Sequence, residues 1–391
     1  MDLVSNPFRP GAGRLPPVLA GRAPLLADFD IVMRRASTLS EGDRSWVLSG
    51  LRGVGKTALL NTLLATASEQ RWITAKVEVS PGRPLAGMLA DALVRGMRNA
   101  LGRHPEPLLR RVAAALKAFS VSWNPDGISV GLDVEALAGV GDSGRLAEDL
   151  YSLLMAMGTA SRDLNIGTLI LIDELQEASA DDLRELNQAF HLLAQEPVAP
   201  PVLMVGAGLP SLPSILADVT SYAERLYDYR TIGLLDRAAA EVALVAPVTA
   251  RGESWSPAAL DLALDAARGY PYLIQAVGKH VWDLAVRSPI SVADTQVGLR
   301  LAGREVDEGL YLSRWERSTA AQQALLRALA EVGGESAAVA DIVRAAGKTN
   351  AGQISMTRRE LIRKGILYAP ERGFLAFTVP GMHEFVLRQE P

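Results

Sequence analysis

Residues 46–60 read WVLSGLRGVGKTALL: a short apolar run stops at a glycine-rich turn, and the chain restarts as a helix at Lys56 and Thr57. Gly50, Gly55, Lys56 and Thr57 fit G-x-x-x-x-G-K-[ST], the Walker A or P-loop pattern. The glycines let the backbone curl until the N–H groups of Arg52, Gly53, Val54, Gly55, Lys56, Thr57 and Ala58 can face phosphate oxygens, and the following helix adds its positive N-terminal end. Lys56 is placed to neutralise the β- and γ-phosphates of a nucleoside triphosphate, and the Thr57 hydroxyl to ligate Mg2+. The motif sits between a strand and a helix, as the chemistry requires.

Working outward, helices are expected around 25–39, 57–69, 84–101, 105–118, 144–162 and 180–195. Strands are expected at WVLSG, WITAKVEV, GTLILIDE, PVLMVGA and near YDYRTIGLL. Strand–helix alternation with apolar, non-alternating strands predicts an α/β domain built on a buried parallel sheet. The period-two segments around Asn124-Pro125-Asp126-Gly127 predict a β-hairpin inserted at about 119–134, with Trp123 marking either core or a partner surface. A second acidic element, LILIDELQ, ends its strand at Asp173 and Glu174. Alone, such a pair reads equally as a helix cap or a solvated loop. Downstream of a P-loop it reads as Walker B, with Asp173 in the magnesium shell and Glu174 polarising the attacking water.

The bulk composition narrows the function classes. The chain has 391 residues, long enough for two or three domains, with 49% hydrophobic and 21% charged residues. Forty Lys and Arg against 44 Asp and Glu give no global basic field. With no cysteine and four scattered histidines, disulfides, thiolate catalysis and thiolate metal sites are excluded, zinc is disfavoured, and a cytoplasmic protein is expected. The N-terminus lacks the order of a secretory signal. The uncharged stretch from Pro197 is interrupted by Pro and Gly, so it predicts a buried strand, loop and short helix rather than a membrane span.

With both Walker motifs on the page, the chain resembles the AAA+ ATPases, and within them the group spanning origin-recognition initiators, archaeal-type ATPases and STAND NTPases. The resemblance runs from NPFRPG and LAGR through the C-terminus. It implies an α/β P-loop NTPase (ASCE/AAA+) parallel sheet sandwiched by helices over 1–235, a helical lid over 236–315, and a winged helix-turn-helix domain over 316–391. By the same resemblance, LAGRAPLLADF makes Leu19, Gly21 and Arg22 candidates for the adenine pocket. Arg225, in SYAERLYDYRTIGL, is the candidate arginine finger, in cis or in trans. Gly269-Tyr270-Pro271 matches the G-x-P of the lid helix, so Pro271 joins the nucleotide-binding set. Two departures stand out. No Asn, Thr or Ser ends the strand PVLMVGA, where a γ-phosphate sensor is expected and Gly206 to Gly208 stand instead. Tyr272 occupies the place of a second sensor arginine, for which Arg268 is the available substitute.

From about Ser318 the chain reads as helix (STAAQQALLRALAEVGG), helix (SAAVADIVRAAG), helix (KTNAGQISMTRRELIRKGIL), then two short strands around a charged turn, the order of a winged helix. Residues 314–391 hold eleven Lys and Arg against eight Asp and Glu, a local excess of three positive charges. Lys348, Asn350, Gln353, Ser355, Arg358 and Arg359, with Arg372 at the wing tip, are the candidate DNA contacts, while Leu361 and Ile362 face the core. The alternative is a surface for a partner protein. Together these readings predict an ATP-hydrolysing switch whose nucleotide state governs engagement of double-stranded DNA or a partner, with ATP-dependent homo-oligomers in the initiator-like version and a site completed in cis in the STAND-like one. A DNA-assembling regulator of transposition or phage-related transactions, and a nucleotide-holding module without turnover, are the other readings.

Overall fold

A computed structural model describes residues 1–11, 13–102, 106–123, 135 and 141–390. Its first unit is a five-stranded, all-parallel sheet: β1 (Trp46–Ser49), β2 (Ile73–Glu78), β3 (Thr168–Asp173), β4 (Val202–Gly208) and β5 (Asp228–Thr231), in the order β2-β3-β4-β1-β5. Every residue of β1, β3 and β4 is buried, which is why these strands read as continuous apolar runs rather than alternating ones. Helices Ala23–Leu39, Lys56–Glu69, Leu85–Leu101, Leu146–Asp163 and Ala180–Ala194 surround the sheet. The register decides the geometry of the site. Ser49 lies beside Gly208 and Thr231, and Asp173 beside Glu78, so the P-loop and the acidic pair leave the same carboxyl edge of the sheet, with β4 between them.

The insertion between β2 and β3 departs from expectation. Phe119 to Trp123 form the last turn of helix Glu106–Trp123, not the start of a hairpin; the remainder of the expected hairpin, 124–134, lies outside the described residues. The apparent alternation of FSVSW is overridden by a longer period: Val112, Ala115, Leu116 and Phe119 recur at helical spacing and are all buried. Trp123 packs against the main core and donates from Nε1 to Asp149 at 2.9 Å. Asp149 is itself buried and accepts the backbone N–H of Ser143 at 2.7 Å and of Gly144 at 3.1 Å, so its carboxylate is satisfied by three donors.

A second core holds everything after β5. Helices Arg237–Thr249, Pro257–Ala267, Pro271–Leu284 and Val292–Val306 pass through a π-helical turn, Asp307–Leu312, into the short helix Ser313–Glu316. The chain continues as helix Ala320–Gly333, β6 (Ser336–Ala338), helix Val339–Ala345, a 3-10 turn Ala351–Ile354, helix Ser355–Arg363, β7 (Leu367–Tyr368), β8 (Phe374–Phe377) and helix Met382–Leu387. The three strands pair antiparallel in the order β6-β8-β7. One apolar cluster runs without interruption from Ala240 to Val386, so the boundary expected near 315 falls inside a shared core. Two local differences have plain causes. Ser336–Ala338 pairs with β8 before its helix begins, and Asn350, extended at φ −154°, with the 3-10 turn Ala351–Ile354 takes up the start of the expected third helix, so that the helix begins only at Ser355.

The N-terminal residues lie along the lid as a strap. Phe8 is buried against Gly278 in helix Pro271–Leu284, Trp282 Nε1 donates to Asp2 O at 2.9 Å, and Asn6 Nδ2 donates to Lys279 O at 3.1 Å. At its far end Gly13 O accepts Asn61 Nδ2 of the P-loop helix at 3.2 Å. The strap therefore ties the lid to the α/β unit. Among the described residues no helix is long and apolar enough to cross a membrane.

Candidate nucleotide site

The turn after β1 is shaped by two left-handed glycines, Gly53 at φ +76° and Gly55 at φ +95°, a conformation that costs a side-chain-bearing residue dearly. Gly50 is needed for a different reason: a Cβ there would lie 2.2 Å from Ile232 O. Above the loop opens a cleft of about 300 Å³. Among the described residues its cationic lining is Arg9, Arg14, Arg22, Arg52, Lys56 and Arg314, against one carboxylate, Glu174. Apolar Val18, Leu19, Leu235 and Ile274 line the remainder. A cationic floor with apolar walls fits a polyphosphate attached to a flat base.

Lys56 is buried, and its Nζ donates to Gly50 O at 2.7 Å and Leu51 O at 2.8 Å, folding back over its own loop. Burial lowers its pKa to about 8; Glu174 and Asp173 pull it upward and Arg52 pushes it down further. Thr57 Oγ1 donates to Asp173 Oδ2 at 2.7 Å, bringing together the hydroxyl and carboxylate expected to share a magnesium ion. The described residues contain no group of three or more His, Cys, Asp or Glu able to hold a metal. Two hard oxygen donors without a full protein cage fit Mg2+, which takes its remaining ligands from phosphates and water. When bound, Mg2+ would neutralise phosphate charge; Thr57 and Asp173 would hold it.

Glu174 has φ +52°, an uncommon backbone for glutamate, and strain of this kind gathers at functional positions. One of its oxygens is hydrogen-bonded and the other faces a cation. Gln176 Nε2 donates to Oε2 at 2.5 Å, and Arg52 Nη1 lies 3.6 Å from Oε1. Gln176 is held in turn by the Leu209 N–H, which donates to its Oε1 at 3.1 Å. A Cβ on Gly208 would lie 2.4 Å from that oxygen, so Gln176 fills the space at the tip of β4 where a sensor side chain was expected.

Arg52 joins three parts of the molecule. Its backbone N–H donates to Thr378 O at 3.1 Å, its Nε to Gly365 O at 3.4 Å, and its carbonyl accepts the Tyr270 hydroxyl at 3.1 Å. Tyr270 also closes over Gly53, where a Cβ would lie 2.2 Å from its hydroxyl oxygen. The P-loop is thus gripped by the lid and by the C-terminal module together.

Other sequence candidates fall in mixed positions. Val54, Ala58, Leu19 and Pro271 line the cleft, whereas Gly21 lies just outside it, packed close to Ala239 and Leu235. Arg22 donates to Val54 O at 3.2 Å and Gly233 O at 2.7 Å, bracing the loop. Arg225 is exposed on the short helix Ala223–Leu226, away from the cleft lining. Arg268 turns away to pair with Glu384 at 2.6 Å. In the C-terminal module Lys348, Asn350, Gln353, Ser355, Arg359 and Arg372 are exposed and Arg358 is half-buried. Gln353 and Ser355 are partly used locally, accepting from Thr349 N at 3.0 Å and donating to Gly352 O at 2.8 Å. Arg9, Arg14, Gln176 and Arg314 were not singled out in the sequence, where no motif marks them.

Comparison with known proteins agrees with this architecture. Residues 18–205 match the model of the AAA ATPase domain family, and residues 308–386 match a family described as "Domain of unknown function (DUF8462)". The ORC2 protein of Aeropyrum pernix, in its ADPNP–ADP complexes, superposes with a TM-score of 0.59 at 14% identity, over 96% of this chain and 95% of that one. Its ADP form gives 0.55 at 15% identity, over 97% and 98%. A Walker-type ATPase of Pyrococcus abyssi gives 0.50 at 15% identity, over 88% and 90%. No curated protein matches the chain. The fold is that of the P-loop AAA+ ATPases, and the match to the AAA ATPase domain family covers just under half of the chain.

Proposed function

We propose that this chain is an ATP-binding and ATP-hydrolysing switch of the cytoplasm, which couples nucleotide state to engagement of double-stranded DNA or a partner protein through a C-terminal winged helix. The observation that carries the reading is Arg52, one P-loop residue bonded to the C-terminal module at Thr378 and Gly365 and lying beside Glu174. In this role the P-loop amides and Lys56 hold the phosphates, Thr57 and Asp173 hold Mg2+, and Glu174 accepts a proton from the attacking water. In the present arrangement Glu174 Oε2 accepts from Gln176, while Oε1 faces Arg52 at 3.6 Å and keeps lone pairs free for a water. Energy enters the switch only through the different affinities of its two states for ATP and ADP.

Contacts within one chain from lid and module to the P-loop favour a site completed in cis, as in the STAND-like version. The exposed Arg225 leaves the initiator-like version, with a finger reaching a neighbouring subunit, as the second reading. The exposed Lys348, Arg359 and Arg372 support DNA engagement, and its sign would be affinity that weakens steeply with salt.

The test is Glu174→Gln. Turnover is expected to fall by about 100-fold or more, the usual reach of a general base, while ADP binding is retained. Equal turnover in the two proteins would remove Glu174 from the mechanism, and no turnover in the unaltered chain would remove the hydrolytic reading.

A further inference from the structure

We infer that Arg314 is a ligand of the nucleotide's terminal phosphate, acting in cis, and that it carries the presence of that phosphate into the joint between the lid and the C-terminal module. The inference rests on reading the cleft as an ATP site. Arg314 stands in the short helix Ser313–Glu316, directly after the π-helical turn Asp307–Leu312, and its side chain lines the cleft with Arg52, Lys56 and Tyr270. π-helical turns are frequent at functional sites.

Among the described residues its charge has no counterpart. Arg268 pairs with Glu384, Arg388 with Asp307, and Arg237 with Asp261 and Asp265, yet Arg314 has no carboxylate within ion-pair distance among the described residues. Nη1 donates to Leu310 O one turn back, which leaves most of its five N–H donors for something else. The group is partly buried, and burial first, then the nearby Arg52, lower its pKa. A guanidinium withdrawn from water and set beside another cation is unfavourable until an anion arrives.

Its neighbours in the cleft identify that anion. Arg314 lines the same cleft as Lys56 and Arg52, and Arg52 Nη1 lies 3.6 Å from Glu174, the group assigned to the water that attacks the terminal phosphate. The segment around Arg314 is tied to the C-terminal module on both sides. Tyr311 donates its hydroxyl to Pro380 O at 2.5 Å, and Lys364 Nζ donates to Arg317 O at 2.8 Å. A displacement of Arg314 toward phosphate is therefore transmitted to that module directly.

The experiment measures binding of MgADP and of a slowly hydrolysed Mg-triphosphate analogue by calorimetry, in the full chain and in Arg314→Gln, Arg314→Lys and Lys56→Ala. Arg314→Gln is expected to weaken the triphosphate at least 10-fold more than ADP, the scale of a charge-assisted phosphate contact, and Arg314→Lys to recover part of it. Lys56→Ala is expected to weaken both. Melting of the ligand-free Arg314→Gln protein should be no lower than that of the original chain, since an unmatched, partly buried charge has been removed; a fall would mean a structural role and overturn the assignment. Equal losses for both nucleotides, or none, would overturn it too. If the unaltered chain binds neither nucleotide, the ATP-site reading itself fails.

Discussion

The depressed ammonium of Lys56 makes nucleotide affinity depend on pH in a way that can be calculated. In the free protein Lys56 loses its proton at about 8, chiefly because it is buried. A bound polyphosphate keeps it charged well above that point. The apparent dissociation constant then grows as 1 + 10 raised to (pH − pKa), so affinity for MgADP is expected to weaken about 25-fold between roughly pH 7.5 and 9.5. Calorimetry across that window measures it. Lys56→Arg should flatten the profile, because a guanidinium does not titrate there. A slope under about twofold in the original chain, or the same slope in Lys56→Arg, would refute the argument. Stability runs the other way. The folded value lies below the ordinary 10.5, so the penalty for burying the charge is fully present below about 8 and lifts as pH rises from there toward 10.5. The ligand-free protein should gain stability across that interval, by an amount on the order of 3 kcal/mol at most.

Two glycines test the contacts that frame the site. Gly53→Ala is expected to displace Tyr270 and strain a backbone at φ +76°, lowering nucleotide affinity about 10-fold or more, as read by calorimetry. Unchanged affinity would mean that Tyr270 does not shape the loop. Gly278→Ala drives a methyl to 2.5 Å from the Phe8 ring and should cost about 1–3 kcal/mol, measured by denaturant melting. A neutral result would show that the N-terminal strap is not held against the lid.

What was legible in the sequence was legible because its causes are local. Gly50 to Thr57 form one turn whose shape depends on neighbours in the chain, and Asp173 with Glu174 end a strand whose apolar run declares it buried. Thr57 and Asp173 meet because sheet order brings two carboxyl ends together, as the alternation of strands and helices implies. The misses share the opposite property. Arg314 and Arg52 lie 262 positions apart, and nothing in either segment announces that they share a wall. Gln176 takes the sensor position because Gly208 leaves space for a side chain from another loop. Arg268 faces away because Glu384, 116 positions on, attracts it. The hairpin expected at 119–134 rests on period-two segments around Asn124-Pro125-Asp126-Gly127; over its described part, 119–123, a longer helical period outweighs the alternation.

The bonds at Arg52 bear on how the molecule can be dissected. Its amide hydrogen is given to Thr378 and its carbonyl receives Tyr270, so the main chain of the phosphate-binding turn is fastened by groups more than two hundred positions away. A fragment ending before Thr319 would present the same motif with that amide released to solvent. Affinities measured on such a fragment would describe a differently tensioned turn, and the difference from the intact chain would itself measure the work the carboxyl-terminal module performs on its first ligand.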